Sequence, residues 1–479
     1  MATRTIRGPQ LARLLAGWRG AGPEYQALAR SVRGLLLDGR LPLQLRLPAE
    51  RELAAALDSS RTTVSAAYRT LREGGYLVSR RGAGSWTALP AGHRLTPSGQ
   101  LTPHSDAELL DLSFAAPAAP AALGDAVSEA ADELARYAVG PGYFPMGITP
   151  LRETVAEWYT SRGVATSAAQ VVITSGAQQA YHLALRLLTT PGETVLLESP
   201  TYPNAPEAAR SERLRVASYG LGPDGFDGEL LADALRQVRP KVAYLTVDFH
   251  NPTGHVMSDD TRGRLVAAAQ NAGSTVIVDE TFVELNFADR PLPPPVAAYD
   301  RYGRVLSLGS MSKAFWGGLR VGWVRGPASL MARLAASRSA TDLGSPVLEQ
   351  LIAVNLLNRR DQVLPERCRT LGAARDFLAG ALREKLPPWR FRVPAGGVGL
   401  WLELDAPVSS ALVRAAEAHG LRLAPGPRFG VDGVLEQYLR MPFTLPHADL
   451  ATAVDRLVAA RDTVDAHPVP DWPPSLVVA

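Results

Sequence analysis

Apolar residues in the first part of the chain recur every three or four positions. Leu28, Val32, Leu35 and Leu36 form one stripe; Leu53, Ala56 and Leu57 form a second; Val64, Ala67, Tyr68 and Leu71 form a third. That spacing predicts three amphipathic helices. Pro48 suits the opening of the second, Ser59 and Ser60 are N-cap candidates for the third, and Gly74-Gly75 ends it. Two short extended runs follow at 76–78 and 85–87, with the turn Arg81-Gly82-Ala83-Gly84 between them. Beyond residue 110 the pattern changes. Near-continuous apolar runs at 171–173, 195–197, 242–245, 276–278 and 305–308 alternate with helical segments. Runs of that kind are strands covered on both faces, and the alternation predicts an α/β body with a doubly wound, mostly parallel sheet.

Three helices and a hairpin, in that order, predict a winged helix-turn-helix. Between this head and the body, residues 88–110 collect Pro90, Gly92, Pro97, Ser98, Gly99 and Pro103, with few large apolar side chains, the composition of a linker. The expected division is a head over 1–88, a linker over 89–110 and a body over 111–479. No apolar run approaches the roughly 20 residues that span a bilayer, so no membrane partner is expected. The Arg-rich N-terminus lacks the apolar core of a secretory signal, and the single cysteine, Cys368, fits a reducing cytoplasm. No metal is expected.

Charge sharpens the division. Residues 1–90 hold 14 Arg and no Lys against 6 acidic residues, a net of +8; the whole chain is +3, so the rest sums to −5. A basic module on an acidic body points to a polyanion as the partner of the head. Lysine is scarce: only Lys241, Lys313 and Lys385 occur beside 47 Arg. Arginine stays protonated, whereas lysine can shed its proton and attack a carbonyl, so a retained lysine is a candidate for chemistry.

On the third helix of the head, Arg61, Ser65 and Arg69 lie four apart on the face opposite the apolar stripe. Arg61 sits at the helix N-terminus, where a recognition helix meets base edges and phosphates. Thr62 and Thr63 can donate hydroxyls to the nucleic-acid backbone, and Arg81 and Gly82 at the wing tip suit the minor groove. The text Pro48-Ala49-Glu50-Arg51-Glu52-Leu53-Ala54, then Ser60-Arg61-Thr62-Thr63-Val64, then Arg81-Gly82-Ala83-Gly84 closely resembles the GntR-type winged helix. The resemblance implies binding to a double-stranded operator through Arg51, Ser60, Arg61, Thr62, Thr63 and the wing residues Arg81 and Gly82. Ser65 stands where relatives often carry Arg, so operator preference does not transfer.

Lys313 follows the run at 305–308, a strand end where ligands bind in such sheets. Ser175-Gly176-Ala177-Gln178 follows another strand and opens a helix, and backbone N–H groups there make an anion site. The segment around Lys313, with Ser310 before it and Arg320 after it, resembles the Schiff-base lysine region of fold-type I aminotransferases. The resemblance implies pyridoxal 5'-phosphate as cofactor, joined to Lys313 as a Schiff base. It places the phosphate at Ser175, Gly176, Ala177, Gln178, Ser310 and Arg320. Tyr202 then stacks on the ring, Asn251 meets the ring oxygen, Asp279 holds the ring nitrogen protonated and Arg440 takes the carboxylate of an amino-acid ligand. Tyr137 resembles a tyrosine that reaches the phosphate of a neighbouring subunit. One departure stands out. Phe282 occupies the place of the tyrosine in the Asp-x-x-Tyr of many active relatives; losing that phenol is expected to blunt catalysis without removing the cofactor site.

Head, linker and body together resemble the MocR subgroup of GntR-type regulators. That resemblance implies a homodimer with swapped domains, each head over the partner's body, and a regulator that senses its cofactor or a small amino compound. Little or no transaminase turnover is expected. The alternative is an active aminotransferase with an accessory DNA-binding module.

Overall fold

The computed structural model describes residues 4–466 apart from 21, 81–83, 91–108 and 432. The wing-tip residues Arg81 and Gly82 and most of the expected linker therefore lie outside the described residues. In the head, α1 (Gly8–Leu14), α2 (Glu24–Leu37), α3 (Glu50–Ala56) and α4 (Arg61–Glu73) precede a hairpin of β1 (Leu77–Arg80) and β2 (Gly84–Thr87). The apolar stripes are buried as their spacing requires: Leu28, Val32 and Leu35 of α2 meet Val64, Ala67 and Leu71 of α4 in one core. Each leucine or valine among them contributes roughly 1.5–3 kcal/mol when fully buried. Ser60 caps α4, its Oγ accepting from Thr63 N at 2.9 Å. The short α1 has no long apolar stripe to announce it. It buries Leu11 and is pinned to α3 by Gly8 N donating to Glu52 Oε1 at 2.6 Å.

The body opens on β3 (Leu110–Asp111). Its main sheet is built from β4 (Val171–Thr174), β5 (Thr194–Ser199), β6 (Arg215–Gly220), β7 (Val242–Leu245), β8 (Thr275–Asp279), β9 (Val305–Ser310) and β10 (Gly322–Arg325). The strand order is β4-β10-β9-β8-β7-β5-β6. All neighbours are parallel except β10, which runs antiparallel to both β4 and β9. Alternate residues of each strand enter opposite cores: Ile173, Leu196, Ala243, Val276 and Val305 on one face, Val172, Leu197, Tyr244, Ile277 and Leu306 on the other. Helices cover both faces, so the apolar runs are continuous, as parallel strands require. A smaller antiparallel sheet follows, from β11 (Arg390–Phe391), β12 (Gly399–Glu403), β14 (Ala424–Pro425) and β15 (Tyr438–Pro442), while β13 (Leu421–Arg422) pairs in parallel with β3.

Within one chain the head rests on the body along the helix Gly228–Val238. Thr5 and Gln237 exchange two hydrogen bonds, at 2.7 and 2.8 Å. Arg7 pairs with Asp233 at 3.1 Å and Arg13 with Glu229 at 2.8 Å, while Gln10 also donates to Asp233. A second contact joins the end of α2 to the small-sheet side: Leu435 N donates to Leu37 O at 2.8 Å. Burial pushes the Asp233 carboxyl up, but hydrogen bonds from Gln10, Arg7 and Arg236 outweigh it, so its pKa falls below the ordinary value. A depressed carboxyl contributes docking stability that is complete above the ordinary carboxylate range and is lost as pH falls through the depressed value. Asp233→Ala should weaken docking by about 1–3 kcal/mol. Faster amide hydrogen exchange in α1 at neutral pH is the expected readout, and the wild type should approach the variant's behaviour in acid.

Candidate functional site

The carboxyl ends of the parallel strands open on a cleft of about 260 Å³. Asp279 is the last residue of β8. Its Oδ2 accepts from Tyr244 Oη at 2.7 Å and its Oδ1 from Thr281 N at 2.9 Å. Lys313 sits on the helical turn Ser312–Trp316, directly after β9. Its Nζ donates to the carbonyl of Ala115 at 2.9 Å. Burial, then the nearby Arg440 guanidinium, lowers the Lys313 amine from 10.5 to about 8 against the opposing pull of Asp279. A useful fraction of a buried amine at that value is neutral, and so nucleophilic, near neutral pH.

At one edge of the cleft, Gly176 precedes the helix Ala177–Leu188 with φ 96°, a conformation that favours glycine. A Cβ there would lie 2.9 Å from the Arg320 guanidinium, so the glycine lets that cation come close to the helix start. Arg320 in turn donates to Ser175 O at 2.6 Å. Ser310 and Ser312 hydroxyls lie 2.5 Å apart beside it. Exposed helix N–H groups, hydroxyls and a guanidinium converge here, the donor set of a phosphate site.

Arg440, on β15, lies deeper. Its guanidinium stands over the Phe429 ring, 5.0 Å from the centroid, and donates to Ser113 O. Its Nε is buried with no partner among the described residues. Burial, then repulsion from Arg428, pushes it down to about 9, so it still carries its charge at neutral pH. Tyr202 and Asn251 line the same cleft, as do Phe282 and Gln178. The fold thus brings Ser175–Gln178, Tyr202, Asn251, Asp279, Ser310, Lys313, Arg320 and Arg440 to one place. Tyr137 stays outside it, packed edge-on against Phe144. Sequence reasoning missed Arg428, Tyr244 and the carbonyls of Ser113 and Ala115. Tyr244 lies inside an apolar run in which it reads as core, and no local pattern signals the others.

The head presents a separate surface. Arg51, Ser60, Arg61 and Thr62 are exposed and Thr63 is half-buried. Arg61 is tied only loosely, to Glu50 at 3.9 Å, and its side chain is 74% exposed, free to meet a phosphate or a base edge.

The family of class I and II aminotransferases matches residues 120–457, and the gntR family of bacterial regulatory proteins matches residues 24–86. An uncharacterized HTH-type transcriptional regulator of Bacillus subtilis, YisV, is 27% identical over 92% of this chain and 96% of its own. The probable rhizopine catabolism regulatory protein MocR of Rhizobium meliloti is 27% identical over 84% of this chain and 86% of its own. Among solved structures, the α-aminoadipate aminotransferase LysN of Thermus thermophilus, complexed with N-(5'-phosphopyridoxyl)-L-leucine, superposes with a TM-score of 0.69. It is 30% identical and covers 75% of this chain and 94% of that one.

The Lys313 amine sets a pH dependence. The neutral amine is the attacking form and it prevails above the amine's pKa. An aldehyde offered to the ligand-free protein should therefore add to Lys313 at a rate that climbs with pH and levels off above about 8. Stopped-flow absorbance follows the addition, and a rate still climbing steeply toward the ordinary lysine value would contradict the lowered pKa.

Proposed function

The chain belongs to the class I and II aminotransferase family, joined to a GntR-family head, and on that premise we propose that it is a pyridoxal 5'-phosphate-dependent transcription regulator. The observation that carries the reading is the pairing, in one chain, of an exposed recognition helix with a cleft whose lysine, carboxylate and phosphate-type donors converge. The residues present fit the cofactor. Gln178 Oε1 and Arg440 Nε are buried without partners among the described residues, Gly176 clears space at a cationic helix start, and Lys313 is an amine with a lowered pKa. Ser175, Gly176, Ala177, Gln178, Ser310 and Arg320 would hold the phosphate, Tyr202 and Asn251 would flank the ring, and Asp279 would pair with its nitrogen. Tyr137 would serve the cleft of a second copy. The chemistry supplied on binding is an aldehyde that captures amines, conjugated to an electron-withdrawing ring.

The head would bind a double-stranded operator through Arg51, Ser60, Arg61, Thr62 and Thr63, with Arg81 and Gly82 at the wing. A homodimer whose heads rest on partner bodies would use the same docking residues seen here within one chain. The head covers 1–88, the linker 89–110 and the body 111–479 in this reading, and the protein works in the cytoplasm. The ligand read by the body is a small amino compound, and Arg440 favours one that carries a carboxylate. The carboxylate of such a ligand would compete with Ser113 O for Arg440, and the cofactor's aldehyde with Ala115 O for the Lys313 amine. Ser113 and Ala115 lie just beyond β3, where the linker enters the body. The other end of the linker is anchored too: Leu89 packs against the cluster of Ala424, Phe429, Val434 and Leu435. Ligand capture can bias the heads because it favours one arrangement of these contacts over another.

Two measurements check this reading. The purified protein should absorb in the visible, and Lys313→Ala should abolish both that absorbance and the borohydride-reducible adduct; an adduct that moves to Lys241 or Lys385 would refute the assignment. Arg61→Ala should weaken specific operator binding by roughly 1–3 kcal/mol if the side chain reads a base. The wild type's affinity should fall steeply with salt, both being read by fluorescence anisotropy.

A further inference from the structure

One cation that lines the cleft, Arg428, has no part in the reading above. The lining holds Lys313, Arg320, Arg428 and Arg440 against a single acidic residue, Asp279. Arg320 belongs to the phosphate-type edge, where it bonds Ser175 O. Asp279 is engaged by Tyr244 and Thr281. Arg428 and Arg440 remain. Arg428 sits on the turn Gly426–Phe429, next to the ring over which the Arg440 guanidinium stands. Arg428 is half-buried, and among the described residues it makes no ion pair or side-chain hydrogen bond. Arg440 is buried with its Nε unpartnered. Burial lowers the Arg428 pKa, with Tyr202 as the one nearby group that opposes it. The two guanidiniums repel, since Arg428 contributes to lowering Arg440. Burying like charges side by side costs free energy that only anions recover, and one carboxylate on Arg440 leaves Arg428 unmet.

We propose that Arg428 is a second anion receptor of this cleft, so that the ligand is an amine bearing two anionic groups, one for Arg440 and one for Arg428. The amine faces Lys313. The inference rests on the ligand-sensing reading of the body and narrows it to a chemical class: acidic amino acids or their sulfonate counterparts, in preference to neutral amino acids or simple amines. Arginine suits the role because its planar fork meets a carboxylate or sulfonate with two parallel hydrogen bonds.

The test uses the full chain loaded with pyridoxal 5'-phosphate. L-Glutamate, L-aspartate and L-cysteate are titrated beside L-glutamine and L-norvaline, with the visible spectrum as readout and calorimetry as a second measure. The wild type should bind at least one of the three acidic compounds roughly 10- to 100-fold more tightly than the neutral pair, the range expected of a charged hydrogen bond. Arg428→Gln should remove that preference while leaving the affinity for norvaline within about twofold, and Arg428→Lys, which keeps the charge, should restore part of it. Retained absorbance and operator binding in both variants show that they are folded. Equal affinity for acidic and neutral ligands in the wild type overturns the proposal while leaving the regulator reading intact. So does an Arg428→Gln protein that loses cofactor affinity instead, because Arg428 then serves the phosphate. A wild type with no visible chromophore overturns both readings together.

Discussion

Two cations of the cleft, the half-buried Lys313 and the buried Arg440, are held by backbone carbonyls rather than by carboxylates: Ala115 O takes one and Ser113 O the other. A carbonyl dipole compensates a buried charge only in part. The arrangement is therefore stable enough to fold around and weak enough to be displaced by an aldehyde at the lysine and an anion at the arginine. Much of the body's construction serves to keep that state in place. The parallel strands deliver Asp279 and Lys313 to the same edge of the sheet, and the small antiparallel sheet brings Arg440 across from the C-terminal part of the chain, with β14 and β12 on either side of β15. The phenol of Tyr244 reaches the Asp279 carboxylate from the middle of the sheet. Phe282, the residue that departs from the aminotransferase pattern, lines the cleft without offering a hydrogen bond.

Those parts of the fold that repeat a strong local rule were legible in the sequence. The five apolar runs became β4, β5, β7, β8 and β9 because a strand covered on both faces must be apolar on both. β6 and β10 were not foreseen. β6 is an edge strand with Arg215 at one end and Gly220 at the other, and β10 ends in Arg325 and lies antiparallel between two strands of the sheet. Neither offers a continuous apolar run. In the head, α2, α3 and α4 followed their stripes, whereas α1 escaped notice because its role is polar docking by residues such as Gln10 beside a single deeply buried Leu11.

The same distinction governs the site. Ser175, Gly176 and Lys313 could be proposed because each follows a strand end, and strand ends in such sheets face the ligand; Asp279 and Ser310 entered through the aminotransferase resemblance. Arg428 could not be proposed either way. It lies on a turn of the small sheet, and its neighbourhood with Arg440 depends on the pairing of β14 with β15, a contact between segments that no local pattern links. The carbonyls of Ser113 and Ala115 are less visible still, since a backbone oxygen has no sequence signature and any residue could supply it.

Position along the chain gives these carbonyls a second significance. Ser113 and Ala115 come directly after β3, at the start of the body. Leu89, just after β2, packs on the cluster that contains Phe429 and Leu435, and Leu435 itself donates to Leu37 at the end of α2. Both ends of the connection between head and body thus rest on the walls of the cleft, one on the oxygens that hold its cations and the other on the segment that carries Arg428. In an enzyme that only turns over substrate, nothing would require a DNA-binding head to be moored at the two places where ligand charge arrives. In a sensor this mooring supplies what coupling needs: contacts that the arrival of ligand charge can weaken, shared with the part of the molecule that meets DNA.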